Sequence, residues 1–184
     1  MYADDTAYEF DGKSTAVDVP SHVFPEDLGV EYTISTWLRT KSTKNKQFIV
    51  SSTDNRRLNR IHFALMTRNN HLEFRHRREP QQANRDEYCK SDFHYYKVPI
   101  FDNKWHHVTV VVKGCTVRMF IDGMLYLPHK TLSNWPLHNS HLKTRVVIGA
   151  LWHGNEQKYT DFFKGQLSGM AIRPKKETSI QVSS

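Results

Sequence analysis

Short runs in which apolar and polar residues alternate recur along nearly the whole chain, separated by turn-forming residues. Tyr32–Arg39 (YTISTWLR), His106–Lys113 (HHVTVVVK) and Thr116–Ile121 (TVRMFI) are rich in β-branched and aromatic side chains. Successive side chains on a strand point to opposite faces, so such runs suit strands with one face buried. Asp122-Gly123 separates Thr116–Ile121 from Met124–Leu127 and predicts a type I′ hairpin, which needs positive φ at both central residues. Lys113-Gly114 and Asn69-Asn70 punctuate two further pairs, the second joining His62–Thr67 to His71–Arg75. Ala7–Phe10, Ala16–Val19, Gln47–Ser52, Arg145–Leu151 and Gly165–Arg173 complete the expected strands. No segment sustains a 3.6-residue stripe over about 12 positions, and the best helical candidate is a short turn at Asp161–Lys164. The pattern predicts an all-β, antiparallel two-sheet jelly-roll sandwich of at least about ten strands, forming a single domain over residues 1–184.

Composition changes this picture little. Hydrophobic residues make up 38% of the 184, enough for one core of short strands. No apolar run approaches the ~20 residues of a membrane span, and the opening MYADDTAYEF lacks the apolar stretch of a signal peptide. Charge is informative. The net +7 is uneven: up to Glu31 the only cation is Lys13, whereas Arg39 to Lys90 is strongly basic. That asymmetry suggests a dipolar molecule with a basic face. Two polar stretches, Thr40–Lys46 (TKSTKNK) and Glu79–Ser91 (EPQQANRDEYCKS), read as exposed loops, where sandwich domains usually carry function.

Several strings are familiar together: Phe10-Asp11-Gly12, Tyr32–Leu38 (YTISTWL), Asp102–Val112 (DNKWHHVTVVV), Met119–Tyr126 (MFIDGMLY), Val146–Gly149 (VVIG) and Phe163–Pro174 (FKGQLSGMAIRP). In that order they resemble the laminin-G-like (LNS) and concanavalin-A-like jelly roll across nearly the whole chain. Asn59–Leu65 (NRIHFAL), Asn134–His141 (NWPLHNSH), Gly149–Glu156 (GALWHGNE) and Asp161–Pro174 (DFFKGQLSGMAIRP) resemble the calsyntenin, or alcadein, family more closely. The resemblance implies the laminin-G-like domain of a type I membrane protein of the cadherin superfamily, on the extracellular side of the synaptic plasma membrane. Adhesion and synapse organisation through a protein partner, such as a synaptic cell-surface receptor, are the implied functions. Membrane attachment would run through a transmembrane segment outside this chain. Calcium is expected only in the family's cadherin repeats, so no cofactor is expected in this domain. The motif here reads GALW without a cysteine, so no vertebrate disulfide scheme carries over.

The residues themselves favour binding over catalysis. The concanavalin-like hydrolases carry Glu-x-Asp-x-x-Glu on one strand, and glycoside hydrolysis needs two facing carboxyl groups. No such string occurs, and Asp86-Glu87, being adjacent, would diverge on a strand. His106 and His107 diverge likewise, which argues against a shared metal. Asp54 and Asp122 are the only plausible calcium ligands, too few for a hard cation, so no metal site is expected. Trp37 and Trp105, among apolar strand neighbours, read as core; Trp135 and Trp152 are freer and are contact candidates. Cys89 and Cys115 suffice for one bridge, and an oxidising compartment favours a disulfide over two free thiols. The arginine run offers a surface for an anionic partner, and the alternative to a protein-binding domain is a lectin-like or heparan-sulfate-binding glycan-recognition module; nothing points to nucleic acid. Its residues are Arg56, Arg57, Arg60, Arg75, Arg77 and Arg78, and alternation places Arg75 and Arg77 beside Glu73, opposite Leu72 and Phe74.

Overall fold

The structure, a computed structural model, describes residues 6–20, 31–54, 61–77, 91–113, 116–131 and 144–174. Among these residues there are strands and turns and no helix. Six strands form the first sheet: β1 (Tyr8–Asp11), β3 (Glu31–Arg39), β8 (Trp105–Lys113), β9 (Thr116–Ile121), β10 (Met124–Thr131) and β14 (Lys164–Pro174). Their order is β1-β14-β3-β8-β9-β10, antiparallel throughout. The second sheet holds β2 (Val17–Val19), β4 (Gln47–Asp54), β5 (Ile61–Arg68), β6 (His71–Arg77), β7 (Ser91–Lys97) and β11 (Thr144–Ile148), in the order β2-β11-β4-β5-β6-β7. A small hairpin of β12 (Leu151–His153) and β13 (Lys158–Thr160) completes the set.

The two-residue period decides what lies between the sheets. Along β3, Tyr32, Ile34, Thr36 and Leu38 are buried and the intervening residues are not. Val108, Val110 and Val112 do the same on β8, and Val117, Met119 and Ile121 on β9. From the second sheet Val50, Phe63, Leu65, Leu72, Phe74 and Val146 meet them in one cluster. Phe10 and Phe163 close one end edge-to-face, ring centroids 6.1 Å apart. All three expected strand pairs form, and two of their turns lie wholly among the described residues. Asp122 and Gly123 have φ of 52° and 80°, and Asn69 and Asn70 have 47° and 64°, the left-handed pairs a type I′ turn requires.

Three expectations need correction. Arg145–Leu151 is not one strand. It breaks after Ile148 because Gly149 adopts φ of 84°, and a Cβ there would lie 2.2 Å from Cε1 of the buried Phe10. Asp161–Lys164 is not a helical turn. Its backbone groups serve strands instead: Asp161 O accepts from Phe48 N (3.0 Å), and Phe163 N donates to Gly149 O (2.8 Å). Trp37 and Trp105 are not core residues. They occupy the outward phase of β3 and β8, while Thr36 takes the inward slot, its hydroxyl donating to Ser168 O at 3.2 Å.

The two sheets differ in their outer faces. Outside the second sheet, Phe48, Ala64, Met66 and Leu151 form a buried cluster, and Val147, Ala150 and Trp152 form another. The first sheet has no such cover among the described residues.

Candidate functional site

Strand register turns the outer face of the first sheet into a grid. One cross-strand row is Ala171, Ser35, Thr109, Phe120 and Leu125; the next is Ser168, Trp37 and His107; the third is Gln166, Arg39 and Trp105. Trp37 and His107 face each other with ring centroids 5.0 Å apart, and the Arg39 guanidinium lies 5.5 Å from the Trp105 ring. Both tryptophans, His107 and Phe120 are partly exposed. Leu125 is 49% exposed and Met124, at the hairpin edge, 62%. Apolar side chains gathered in register on a solvent-facing sheet are unusual unless something covers them.

Behind this face a clasp fixes the β9–β10 hairpin. His106 Nδ1 lies 2.7 Å from Asp122 Oδ2, and its Nε2 lies 3.0 Å from Asp102 Oδ1. Asp122 Oδ1 also accepts from the His107 backbone N–H at 2.8 Å. Partial burial pushes the His106 imidazole pKa down, but the two carboxylates outweigh it and hold it above its ordinary value. Hydrogen bonds from His106 and the Lys104 backbone in turn keep Asp102 below the usual carboxylate range. The DNKWHH and IDG strings thus meet as one structural staple, and Asp122 is committed to it rather than free to ligate calcium. No group of three or more His, Cys, Asp or Glu side chains suited to a metal ion occurs among the described residues.

The sequence-selected residues fare differently. Alternation does place Arg75 beside Glu73 on the outer face of the second sheet, opposite Leu72 and Phe74. Yet Arg75 Nε lies 2.5 Å from Glu73 Oε1 and its side chain is only 12% exposed. Glu73 itself is buried, with Arg68 a further 3.8 Å contact. Arg75 is therefore spent on an internal carboxylate and is a poor anion receptor. Trp152 is also not a free contact. It is 9% exposed, and the Arg145 guanidinium covers its ring at 3.7 Å from the centroid. Arg145 makes two 2.7 Å bonds to Asp18 and donates to Tyr159 Oη at 2.7 Å, while Tyr159 Oη donates to Asp18. Arg56, Arg57, Arg60, Arg78, Trp135, Cys89 and Cys115 lie outside the described residues, and of Arg77 only the backbone position on β6 is described.

Comparison with known proteins bears on the fold and on the family. Residues 11–183 match the model of the concanavalin A-like lectin/glucanases superfamily that describes a laminin-G domain. Calsyntenin-2 of Danio rerio is 32% identical over 98% of this chain, and calsyntenin-2 of Homo sapiens 32% over 96%. The chain spans 20% and 19% of those two proteins. Among solved structures, domains LG4-5 of the mouse laminin alpha1 chain align with a TM-score of 0.66 at 14% identity, over 94% of this chain and 43% of that one. A K499G mutant of the NanB sialidase from Streptococcus pneumoniae aligns with a TM-score of 0.70 at 12% identity, over 97% and 27%. At such identities those likenesses concern architecture alone. The matched superfamily model, the shared strings and the calsyntenin relatives agree: the chain belongs to the concanavalin A-like lectin/glucanase superfamily as a laminin-G-like domain of the calsyntenin family.

Proposed function

We propose that this domain is a recognition module on the outside of the cell, part of a calsyntenin-like adhesion and synapse-organising membrane protein. It binds a protein partner, such as a synaptic cell-surface receptor, rather than catalysing a reaction. The observation that carries this reading is the outer face of the first sheet, where Trp37, His107, Phe120 and Leu125 lie side by side without cover among the described residues. Aromatic anchors within a polar surround are the usual centre of a protein–protein interface. The face is preorganised, since every residue in it sits on a strand and the adjoining hairpin is stapled by His106. Binding of the tagged domain to intact cultured neurons tests it. Phe120→Glu with Leu125→Glu should abolish surface binding while leaving the melting temperature within a few degrees, because both side chains point away from the core. Protease treatment of the neurons should abolish it too. Unchanged binding by the double variant, or binding that survives proteolysis, would remove the proposal.

A further inference from the structure

On one side of the sandwich the sheets end on two strands that do not pair with each other, β1 in the first and β2 in the second. Between these edges a cleft of about 420 Å³ reaches the core, lined by Tyr8, Phe10, Val17, Ile148, Leu167 and Met170 among others. Phe10 and Leu167 are buried at its floor, whereas Tyr8 and Val17 at its lips are 67% and 41% exposed. A bulge in β14 shapes it. Ser168 pairs with Trp37 and Ala171 with Ser35, so Gly169 and Met170 together oppose Thr36. Gly169 takes the left-handed φ of 59° there, and Met170 lines the cleft. The unbranched, polarisable methionine chain adapts to apolar groups of varied shape. Among the described residues no charged side chain lines the cleft.

The strand beside the cleft has a free edge. β1 pairs with β14 from Tyr8↔Leu167 to Asp11↔Lys164 and, among the described residues, with no strand on its other side. Every second residue of an edge strand points its N–H and C=O away from the sheet, a template for another strand. Lysine and proline usually guard such edges, and β1 (YEFD) has neither. Its phase fixes what a neighbour would meet. Phe10 faces inward and so does Tyr8, while Glu9 stands on the outer face in one row with Gln166, Arg39 and Trp105. Among the described residues no cation pairs with Glu9, which accepts from the neutral Gln166 at 3.4 Å. The other carboxylates nearby are committed. Asp11 accepts from the backbone N–H groups of Lys13, Ser14 and Thr15, and Asp18 on β2 is neutralised by Arg145. Both edge strands come from the opening 31 residues, where Lys13 is the only cationic side chain against eight carboxylates.

From these features we infer that β1 accepts an added β-strand, an extended segment of a protein partner in which apolar and basic residues alternate. The apolar side chains of that segment enter the cleft between Tyr8 and Val17, and its backbone bonds to the free edge of β1. A basic side chain on the opposite face extends the Glu9 row, where opposite charges across neighbouring strands are favourable. Both contributions need the same register, because alternation that turns apolar residues inward turns the basic ones outward. The net charge of +7 opposes a cationic segment at long range, so the attraction comes from this local carboxylate and the cleft. Three strands separate β1 from β9, which carries Phe120, so the inference stands apart from the reading of the first sheet's outer face.

The probe is an acetylated and amidated octapeptide of alternating valine and lysine, titrated into the isotope-labelled domain and followed by its amide NMR shifts. Shifts should concentrate on β1, on the bulge of β14 and on β2. Methylating the backbone nitrogens of all the valines, or of all the lysines, blocks one edge of the peptide and spares the other. One of the two methylated peptides should therefore lose binding and the other keep it. Glu9→Lys should weaken the valine–lysine peptide about fivefold and strengthen a valine–glutamate peptide by a similar factor. Glu156→Lys, the same change of charge on the β12–β13 turn, should leave both peptides within about twofold. Val17→Lys should weaken the valine–lysine peptide by about tenfold or more. Should Val17→Lys disturb the short β2, the charge swap at the exposed Glu9 still decides the matter. No shifts at about 1 mM peptide, equal binding of the valine–glutamate peptide by the unaltered domain, or binding retained by both methylated peptides would overturn the inference.

Discussion

Arg145→Ala should cost this domain about 2–3 kcal/mol, far more than removal of an ordinary surface arginine. Arg145 joins three elements: Asp18 on β2, Tyr159 on β13 and Trp152 on β12. The ion pair is partly exposed, with side chains 28% and 43% accessible, so solvent screening limits it to about 1 kcal/mol despite its bidentate geometry. The contact with the Trp152 face is better shielded and contributes roughly another 1 kcal/mol. Truncation also leaves Tyr159 without its donor and uncovers the tryptophan ring, about 0.5–1 kcal/mol more. For a chain of this length each kcal/mol moves the midpoint by about 2–4 °C, so the melting temperature should fall by about 4–12 °C. Arg145→Lys should recover less than half of that loss, since an ammonium keeps the charge but neither the fork nor the planar stack.

Urea denaturation followed by tryptophan emission measures both variants, and a cycle with Asp18→Asn isolates the ion pair, for which about 1 kcal/mol of coupling is expected. The Arg145 network does not carry this stability if Arg145→Ala stays within about 0.5 kcal/mol of the parent, or if Arg145→Lys is indistinguishable from it. Either result would mean that packing alone seats the β12–β13 hairpin on the second sheet.

Other consequences follow from the same geometry. Gly149→Ala combines a left-handed φ with a clash against Phe10 and should cost about 2–5 kcal/mol, whereas Gly123→Ala, with open space around its added Cβ, should cost only about 1–2; equal costs would discount the Phe10 contact. Phe163→Ala should destabilise by about 3–5 kcal/mol in the same denaturation assay. The His106 clasp sets a pH window. His106 has a raised folded pKa, so its stabilisation is complete below the unfolded value of 6.5 and fades as pH climbs through the folded one. Asp102 is depressed, so its share is present above 3.8 and fades as pH falls through its folded value. The stability difference between the parent and His106→Gln should therefore peak between about pH 4 and 6.5 and shrink by pH 9; a difference that grows with alkalinity would contradict the clasp.

Alternation made the fold legible, and neglect of its phase hid part of the surface. Tyr32, Ile34 and Leu38 fix the inward phase of β3, which sends Trp37 outward whatever its hydrophobicity. Val108, Val110 and Val112 do the same to Trp105 and His107. Hydrophobicity alone places both tryptophans in the core, whereas strand phase places them outside. The break at Gly149 was marked by a lone glycine inside a strand pattern, but the ring that demands it, Phe10, is far away in sequence. β7 carries a suitable aromatic run at Phe93–Tyr96, yet it adjoins a polar stretch that masks it. Sequence drew attention to the arginine run because the charges are consecutive. Folding then interleaves Glu73 and consumes Arg75.

The difference between the two outer faces is the reason the proposed recognition surface is assigned to the first sheet. Trp152, Tyr159 and Phe162 pack outside the second sheet, and Arg145 locks them to its edge. A face already covered by its own chain can gain little apolar burial from a partner. On the first sheet the same alternation leaves Trp37, Phe120 and Leu125 outside, held by strands that pair on both sides for β3, β8 and β9. Such side chains lose little freedom when a partner arrives, so more of the buried area is realised as affinity. A partner docking on this face would meet a preformed surface, and its association should leave the backbone of β3, β8 and β9 unchanged. Backbone amide shifts that spread into the second sheet on binding would show that the domain adapts to its partner instead.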